Sequence, residues 1–351
     1  MSILFFGDLQ LKANRPIEFE DWDLSVPMTD KISEMCKTVS WISDIIDKED
    51  PEEVVFLGDL TEEQHKLSLY TIYLIKQAFR LLIDDKRNYT FLLGNHDIAD
   101  PEGNCNNLIL VPDQDNITIV RSTIPVVKDG DLYTSCIYKG NKPDVERYMD
   151  YIKDVKVDTI ISHMPIKGMQ FTTGVEDPDG VDLKDLNVKR IIIGHYHNPQ
   201  VITKEGIEIR SIGAPMYHDF RDEWDSHRGI CIKDGEKFTH IENPYTRRYI
   251  KVQYPDTKDV LGKAVERFGE ENLNVRIICP TELIEGIKID YKFNQLNIVP
   301  VQNTSTQSRA TNIGLETSYE DEVSIYVDKE RPRRLDKDKL VEIGLGLIKN
   351  E

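Results

Sequence analysis

Short apolar runs in the first 200 residues end, one after another, in glycine and polar side chains. The runs are rich in β-branched and aromatic residues, which favour strands. They span Ser2–Asp8, Glu53–Asp59, Asn88–Asp97, Thr159–His163 and Arg190–His197. Because open α/β sheets build their sites just past the carboxyl ends of strands, five such endings predict a site at one sheet edge.

Helical periodicity follows the first two of these runs. Apolar residues recur every three to four positions from Ile32 to Ile46, before Pro51, and again from Leu67 to Leu82. This spacing predicts two amphipathic helices. The chain therefore begins as β-α-β-α-β, the pattern of a parallel sheet.

The pattern changes after Asp97. Short runs at Ile117–Arg121 and Leu132–Tyr138 have no helical period between them and predict an antiparallel or mixed sheet. A helix is expected from about Pro143 to Val155, and Asp234–Gly235 predicts a two-residue hairpin turn. Two packed sheets flanked by helices account for residues 1–248.

The remaining residues predict a second, smaller unit and a tail. Residues 249–300 fit a small α/β domain, 301–317 a polar linker, and 318–351 a tail of two short helices. The elements predicted in the small domain are strands at Tyr249–Tyr254, Asn274–Cys279 and Ile287–Phe293 and a helix at Thr257–Phe268.

Composition narrows the class of protein. The formal net charge is −18 and 39% of the residues are hydrophobic, so an acidic surface surrounds an ordinary globular core. Such a surface repels polyanions, and a phosphate substrate needs a local attraction such as bound metal. The five cysteines are scattered without a C-x-x-C pair, which argues against a zinc knuckle or a disulfide framework.

Targeting signals are not evident in the sequence. No apolar run approaches the roughly 18 residues of a membrane span, and the amino terminus lacks the basic region of a signal peptide. The expectation is a cytoplasmic protein with no membrane partner.

The polar residues at the strand ends form a candidate metal-ligand set. They offer carboxylate, amide and imidazole donors but no thiolate, which suits Mn²⁺, Fe²⁺ or Zn²⁺ in a hydrolytic site. Seven ligands are too many for one ion and fit two ions that share a carboxylate. The candidates are Asp8, Gln10, Asp59, Asn95, His163, His195 and His197.

Two histidines of this set are two residues apart. On an extended segment His195 and His197 point the same way, while Tyr196 points away. Each histidine can then serve a different ion.

Each candidate has an ordinary alternative. One Gly-Asp after a strand is most often a turn or a helix cap, and one histidine is usually a hydrogen-bonding residue. The ordered coincidence of all the strand endings favours a site. The other histidines, His65, His218, His227 and His240, lack that context, which favours surface or structural roles for them.

Taken together, these motifs resemble a known family. Asp8-x-Gln10, Gly58–Asp59, Gly94–Asp97, His163 and Gly194–His197 resemble the ordered signature of the calcineurin-like metallophosphoesterases over about 200 residues. Asn95-His-Asp, with Ile212–Pro215 and the later Asp222 and Arg228, is most similar to the nuclease subunit of SbcCD-type repair complexes, especially those of large tailed phages.

The resemblance implies a fold and a set of roles. The expected fold is a four-layer metallophosphoesterase β-sandwich flanked by helices, with a small α/β capping domain and a helical C-terminal tail. Asp8, Gln10, Asp59 and His197 would hold one ion, and His96 would be the general acid. The residues implied for the second ion are Asp59, Asn95, His163 and His195.

The chain departs from this family pattern in two places. Position 10 is normally histidine and is Gln10 here, and Asp59 is followed by Leu-Thr-Glu62. An amide is a weaker donor than imidazole, so Gln10 should favour Mn²⁺ or Mg²⁺ over Zn²⁺.

Three functions remain open from the sequence. The leading one is a DNA exonuclease or endonuclease that uses two divalent ions, most readily Mn²⁺ with Mg²⁺ as the alternative, and acts with an SbcC-like coiled-coil ATPase, with a homodimer also expected. The others are a stand-alone phosphodiesterase or phosphatase, and a scaffold subunit weakened by Gln10. The resemblance implies a bacterial or phage-infected cytoplasm.

Overall fold

The structure is a computed structural model that describes residues 2–100, 103–121, 124–135, 138–139, 142–184, 186–222, 227–286 and 291–301. Its strands are β1 (Ser2–Phe6), β2 (Glu53–Phe56), β3 (Asn88–Leu92), β4 (Ile117–Val120), β5 (Val126–Lys128), β6 (Asp131–Thr134), β7 (Tyr138–Lys139), β8 (Lys142–Pro143), β9 (Thr159–Ser162), β10 (Arg190–Ile193), β11 (Gln200–Lys204), β12 (Ile207–Ser211), β13 (Gly229–Asp234), β14 (Lys237–Glu242), β15 (Arg248–Gln253), β16 (Leu273–Pro280) and β17 (Gln295–Val301). Its α-helices are α1 (Phe19–Trp22), α2 (Lys31–Glu49), α3 (Leu69–Leu82), α4 (Val145–Ile152) and α5 (Thr257–Phe268).

Among the described residues, the strands form two six-stranded sheets, a three-stranded sheet and a short pair. The first sheet has the order β14-β13-β1-β2-β3-β4, with β1 to β4 parallel and β13 antiparallel to β1. The second has the order β11-β12-β10-β9-β6-β5, with antiparallel strands only at its edges. The predicted mixed sheet is confirmed.

Three apolar clusters stack these sheets and helices into layers. Helices α2 and α3 cover one face of the first sheet through a cluster that includes Ile42 and Phe56. The other face packs on the second sheet, where Val55 and Ile192 are both fully buried. Helix α4 covers the far face of the second sheet through Tyr148. The four-layer α/β sandwich predicted from the sequence is confirmed.

Register brings the carboxyl ends of the ligand-bearing strands together. Phe6 at the end of β1 pairs with Phe56 of β2, which in turn pairs with Phe91 of β3. In the second sheet Ile193 of β10 pairs with Ser162 of β9. Neighbouring strands therefore end side by side, and the turns that follow them begin at the same edge of the sheet.

The three-stranded sheet has the order β15-β16-β17, with β15 and β16 parallel. Helix α5 has the predicted bounds. The strand predicted at Ile287–Phe293 is wrong over 291–293, which are not in a strand, whereas 287–290 lie outside the described residues. The pairing instead uses β17, because sheet partners and not the local alternation decide which segment becomes a strand.

The hairpin predicted near residue 234 is present with a shifted turn. Asp234 pairs with Lys237, so the two turn residues are Gly235 and Glu236. Gly235 has a φ of 56°, a left-handed conformation that glycine adopts at little cost.

The chain divides into two compact units, residues 1–278 with 288–299 and residues 279–287 with 300–351. The first unit contains both six-stranded sheets, and the second is described only at 279–286 and 300–301. The predicted tail 318–351 and almost all of the linker 301–317 lie outside the described residues, so these boundaries, like the one at 248, stay predictions. No helix in the described ranges has the length and hydropathy needed to cross a membrane.

Candidate metal centre

The turns that carry the predicted ligands have unusual backbone conformations. The angle φ is 51° at Asp8, 45° at Gln10, 58° at Asp59 and 77° at His195. Residues with a Cβ rarely adopt this left-handed region, which costs of the order of 1–3 kcal/mol at each position. Such strain clusters at functional sites, where the surrounding structure must hold it.

Backbone hydrogen bonds join the first two turns. The Asp8 N–H donates to the Gly58 carbonyl at 2.8 Å, and the Gln10 N–H donates to the Asp59 carbonyl at 3.0 Å. These bonds extend the pairing of β1 and β2 past their regular ends. The carboxylates of Asp8 and Asp59 are thereby held side by side.

A buried trio forms the floor of the site. Ligand atoms of Asp8, Asp59 and His163 all lie within 4.8 Å of one another. His163 donates from Nδ1 to the Leu57 carbonyl at 2.6 Å, which leaves Nε2, 3.5 Å from Asp59 Oδ1, facing the trio. Within the described chain, the buried Asp8 Oδ1 has no hydrogen-bond partner. An orphaned carboxylate oxygen beside an imidazole nitrogen fits a divalent cation.

Asn95 joins two imidazoles to this floor. Its Oδ1 lies 3.3 Å from His163 Nε2 and 3.0 Å from His195 Nδ1. The His195 N–H also donates to Asp8 Oδ2 at 3.2 Å. Amide, imidazole and carboxylate donors therefore converge from the turns after β1, β3, β9 and β10.

Gln10 and His197 form the other side of the site. The Gln10 amide Nε2 lies 3.2 Å from His197 Nε2. The segment that carries His195 and His197 was predicted to be extended. This prediction is wrong, because φ at His195 is positive. Tyr196 nevertheless points away, and its hydroxyl donates to Asp177 Oδ2 at 2.9 Å.

Asp97 hydrogen-bonds the backbone of the turns that carry Asp59 and Asn95. Its buried carboxylate accepts from the backbone N–H groups of Asp59 at 2.7 Å, Leu60 at 2.8 Å and Gly94 at 2.9 Å. Burial and the nearby Asp59 raise the pKa of Asp97 to about 7, while the three donors favour its charged form. One side chain thus joins the turns after β2 and β3.

The buried charges of the trio shift one another's ionisation. Burial raises the pKa of Asp8 to about 6. Burial also opposes ionisation of Asp59, but His163 holds the Asp59 pKa well below its usual range, and the same pairing raises the pKa of His163 to about 9. Two buried carboxylates need a positive partner, and a cation supplies more charge than one imidazolium.

Glycines allow the turns to pack closely. A Cβ on Gly94 would lie 2.1 Å from Asp59 Oδ1, and one on Gly58 would lie 2.7 Å from His163 Nδ1. A Cβ on Gly194 would lie 2.9 Å from the same nitrogen. These glycines are needed because the ligands lie against their backbone.

A cavity of about 690 Å³ opens above this floor. His96 lines the cavity, and its Nδ1 lies 2.8 Å from the Glu62 carbonyl, so Nε2 is the nitrogen that can meet a substrate. Its backbone N–H donates to Asp59 Oδ1 at 2.8 Å. The predicted site residues in the lining are Gln10, Asp59, Asn95, His96, His195 and His197.

Several lining residues were not among the predicted site residues. His218, for which the sequence favoured a surface or structural role, lies with its ring 4.7 Å from that of His197, and its Nε2 lies 2.9 Å from the Asp8 carbonyl oxygen. In the sequence, Asp222 and Arg228 stood out only as part of the family resemblance, without a role in the site. Basic residues that also line the cavity are Lys12, Lys31 and Arg221.

Comparison with known proteins gives one family match. The family described as calcineurin-like phosphoesterase matches residues 1–199. No curated protein matches the sequence.

Solved structures with similar folds share little sequence with the chain. A novel archaeal phosphodiesterase is 14% identical, with a TM-score of 0.35, covering 69% of this chain and 100% of its own. The E. coli phosphoesterase Yfce is 11% identical, with a TM-score of 0.34, covering 69% and 93%. GAP50, the anchor in the inner membrane complex of Plasmodium, is 14% identical, with a TM-score of 0.42, covering 86% and 97%.

Gly94→Ala should disable cation binding, because its Cβ would displace the Asp59 carboxylate. We expect the rise in melting temperature on adding Mn²⁺ to disappear in this variant. Gly262→Ala, in helix α5, is the control. The nearest atom outside the helix backbone, the Tyr291 hydroxyl, would lie 3.7 Å from the new Cβ. Equal stabilisation of both variants by Mn²⁺ would contradict the site.

Proposed function

The chain belongs to the calcineurin-like phosphoesterases, and on that premise we propose that it is a DNA exonuclease or endonuclease, the nuclease subunit of an SbcCD-like complex. Members of the family are metal-dependent hydrolases of phosphoesters. The observation that carries the nuclease assignment is a second cavity, lined by Arg221, Asp222 and Lys251 among others, that continues from the metal centre to the three-stranded sheet.

We assign the ligands to two divalent ions, Mn²⁺ by preference and Mg²⁺ as the alternative. Asp8, Gln10, Asp59 and His197 are assigned to one ion. The ligands of the other ion, which shares Asp59, are Asp59, Asn95, His163 and His195. When bound, the ions supply Lewis-acid activation of the phosphate and of the attacking water.

Gln10 is compatible with a working first site. Its side-chain amide reaches to 3.2 Å from His197 Nε2, so it lies at the position where a ligand paired with His197 is needed. This geometry supports a weaker ion site and not the loss of the site, and it makes the scaffold alternative the less favoured one.

We assign to His96 the transfer of a proton to the leaving oxygen. It lines the cavity without belonging to the ligand set, and the Glu62 carbonyl and the Asp59 carboxylate hold its ring and backbone. A general acid must lie within hydrogen-bond reach of the leaving oxygen, and His96 lines the cavity with Nε2 as the nitrogen that the Glu62 carbonyl leaves unoccupied.

His96→Ala should lower hydrolysis about 10²–10⁴-fold, the usual contribution of general acid catalysis, while Mn²⁺ content stays at the wild-type level. Rates with bis-p-nitrophenyl phosphate and metal analysis of the same preparation measure both quantities. His65→Ala, an exposed histidine outside the site, is the control. Loss of the ions together with activity would place His96 among the ligands.

The shape of the cavities favours a polymeric substrate. The second cavity, of about 370 Å³, shares Thr172, Thr173, Arg221 and Asp222 with the first. It continues to Phe220 and to two residues of β15, Tyr249 and Lys251. A small phosphate ester needs only the first cavity.

Charge along this groove also fits a nucleic acid. Arg221 and Lys251 are both exposed. Arg221 lines both cavities and is ion-paired with Asp219 at 2.6 Å, whereas Lys251 lines only the second cavity. The net charge of −18 disfavours a polyanion elsewhere on the surface. Local cations beside the metal centre would offset that repulsion, as backbone contacts do in nucleic-acid complexes.

Lys251→Ala should raise KM for a DNA oligonucleotide several-fold, because one phosphate contact is lost, and should reduce the salt dependence of KM. Lys258→Ala, an exposed lysine on α5 outside both cavities, is the matched control. If Lys251→Ala and Lys258→Ala give the same KM on DNA, the groove does not bind nucleic acid and a stand-alone phosphodiesterase is favoured.

We further propose that the tail docks on the coiled coil of an SbcC-like ATPase. Apolar residues recur in the tail after a polar linker, which is typical of amphipathic helices that bind a partner. The chain is also proposed to form a homodimer, and the exposed Leu69, Tyr70 and Tyr73 of α3 offer an apolar surface for it.

Leu340→Glu with Leu347→Glu should abolish co-purification with the coiled-coil ATPase, since both charges would fall on the apolar face. Lys339→Glu with Lys349→Glu also introduces two glutamates, but on the opposite, polar face, and should retain the partner. Hydrolysis of bis-p-nitrophenyl phosphate should be unchanged in both. Retention of the ATPase by the leucine variant would refute this docking.

A further inference from the structure

Asp222 is a buried carboxylate next to the metal centre and lies beyond the residues that match the family. Its Oδ1 accepts from His197 Nδ1 at 3.3 Å, and its Oδ2 accepts from the His218 N–H at 2.6 Å. Arg228 Nη2 lies 3.5 Å from the same carboxylate. Asp222 therefore contacts one assigned ligand directly and a neighbour of that ligand through the backbone.

We propose that Asp222 is a positioning residue for one ion, the ion assigned to Asp8, Gln10, Asp59 and His197. This inference rests on the two-ion part of the proposed function and is independent of the choice of DNA as substrate. Asp222 does not reach the reacting atoms. It acts through His197 and His218.

Asp222 sets the tautomer of His197. An imidazole that donates from Nδ1 to a carboxylate has its lone pair on Nε2, and such pairing fixes ring orientation and raises the basicity of the ligand. In this chain Nε2 is the nitrogen that faces the Gln10 amide. Asp222 thus selects the form of His197 that can bind a cation.

Asp222 also positions His218, which contacts Asp8. Asp222 holds the backbone of His218, whose Nε2 lies 2.9 Å from the carbonyl oxygen of Asp8 and whose ring packs against that of His197. One carboxylate therefore links two ligands, Asp8 and His197, that we assign to the same ion and that lie far apart in the sequence. Asp222 makes no such contact with His163 or Asn95 among the described residues.

Arg228 in turn holds Asp222. Arg228 is fully buried, donates from Nη2 to Asn198 Oδ1 at 2.9 Å and lies 4.6 Å above the Tyr217 ring. A buried guanidinium beside a carboxylate keeps the carboxylate charged and in place. Asp222 thus supplies the orienting group, and Arg228 supplies its anchor.

The test is titration of the full-length chain with Mn²⁺ by calorimetry. Asp222→Ala should weaken one of two Mn²⁺ sites about 10–100-fold and leave the other unchanged, the range expected when a ligand loses its orienting partner. Asp222→Asn should lose less, because its amide oxygen can still accept from His197 Nδ1. If Asp222→Ala does not fold, the asparagine variant decides.

Glu53→Gln is the matched control for losing a buried carboxylate. Glu53 is fully buried at the start of β2, away from the ligand-bearing ends, and accepts from Thr90 Oγ1 at 2.6 Å and Lys128 Nζ at 2.8 Å. We expect a lower melting temperature with both Mn²⁺ affinities unchanged.

Two results would overturn the inference. Asp222 variants with wild-type affinity at both sites, or with equal weakening at both, would show that the residue only stabilises the fold. A wild-type chain with a single Mn²⁺ site would instead refute the two-ion proposal on which the inference rests.

Discussion

The buried negative charge of Asp8 and Asp59 is the constraint around which this structure is organised. The two carboxylates lie in the turns that follow adjacent parallel strands, and together with His163 they form a buried trio at this edge of the sheets. Bringing like charges together out of water is costly without a positive partner. Neighbouring imidazoles and the orphaned Asp8 Oδ1 indicate that the partner is a divalent cation.

Rigidity around these charges comes from groups outside the assigned ligand set. Asp97 ties two turns through three N–H donors, and glycines let Asp59 and His163 lie against bare backbone. These contacts hold the left-handed conformations at Asp8 and Asp59 that would relax in a looser structure. Close support of this kind is what a site needs to keep its ligands in a productive geometry.

The site is assembled from two parts of the chain with different contributions. The family-matched residues 1–199 supply every assigned ligand. Residues after that range supply the groups around them: His218 and Asp222 contact Asp8 and His197, and Lys251 extends the groove. We infer that chemistry resides in the first part, whereas orientation and substrate choice depend on the second.

The sequence alone determined which layers form the fold and which strand ends carry the candidate ligands. Strand runs that end in Gly and polar residues, and helices such as α2 and α5, are encoded by short-range periodicity, because burial of one face repeats every two or every 3.6 residues. The ligand candidates followed from that local pattern. The hydrogen-bond partners of those candidates could not be predicted from it.

Only the tertiary structure decided the contacts between distant segments. The hydrogen bond from His197 to Asp222 and the contact of His218 Nε2 with the Asp8 carbonyl join residues far apart in the chain. The absence of a strand at residues 291–293 and the presence of β17 depend on which strands pair. The conformation of His195 likewise differs from the extended one that its spacing predicted. Periodicity records whether a residue is buried, whereas the identity of its neighbours is set by how the sheets and loops pack in three dimensions.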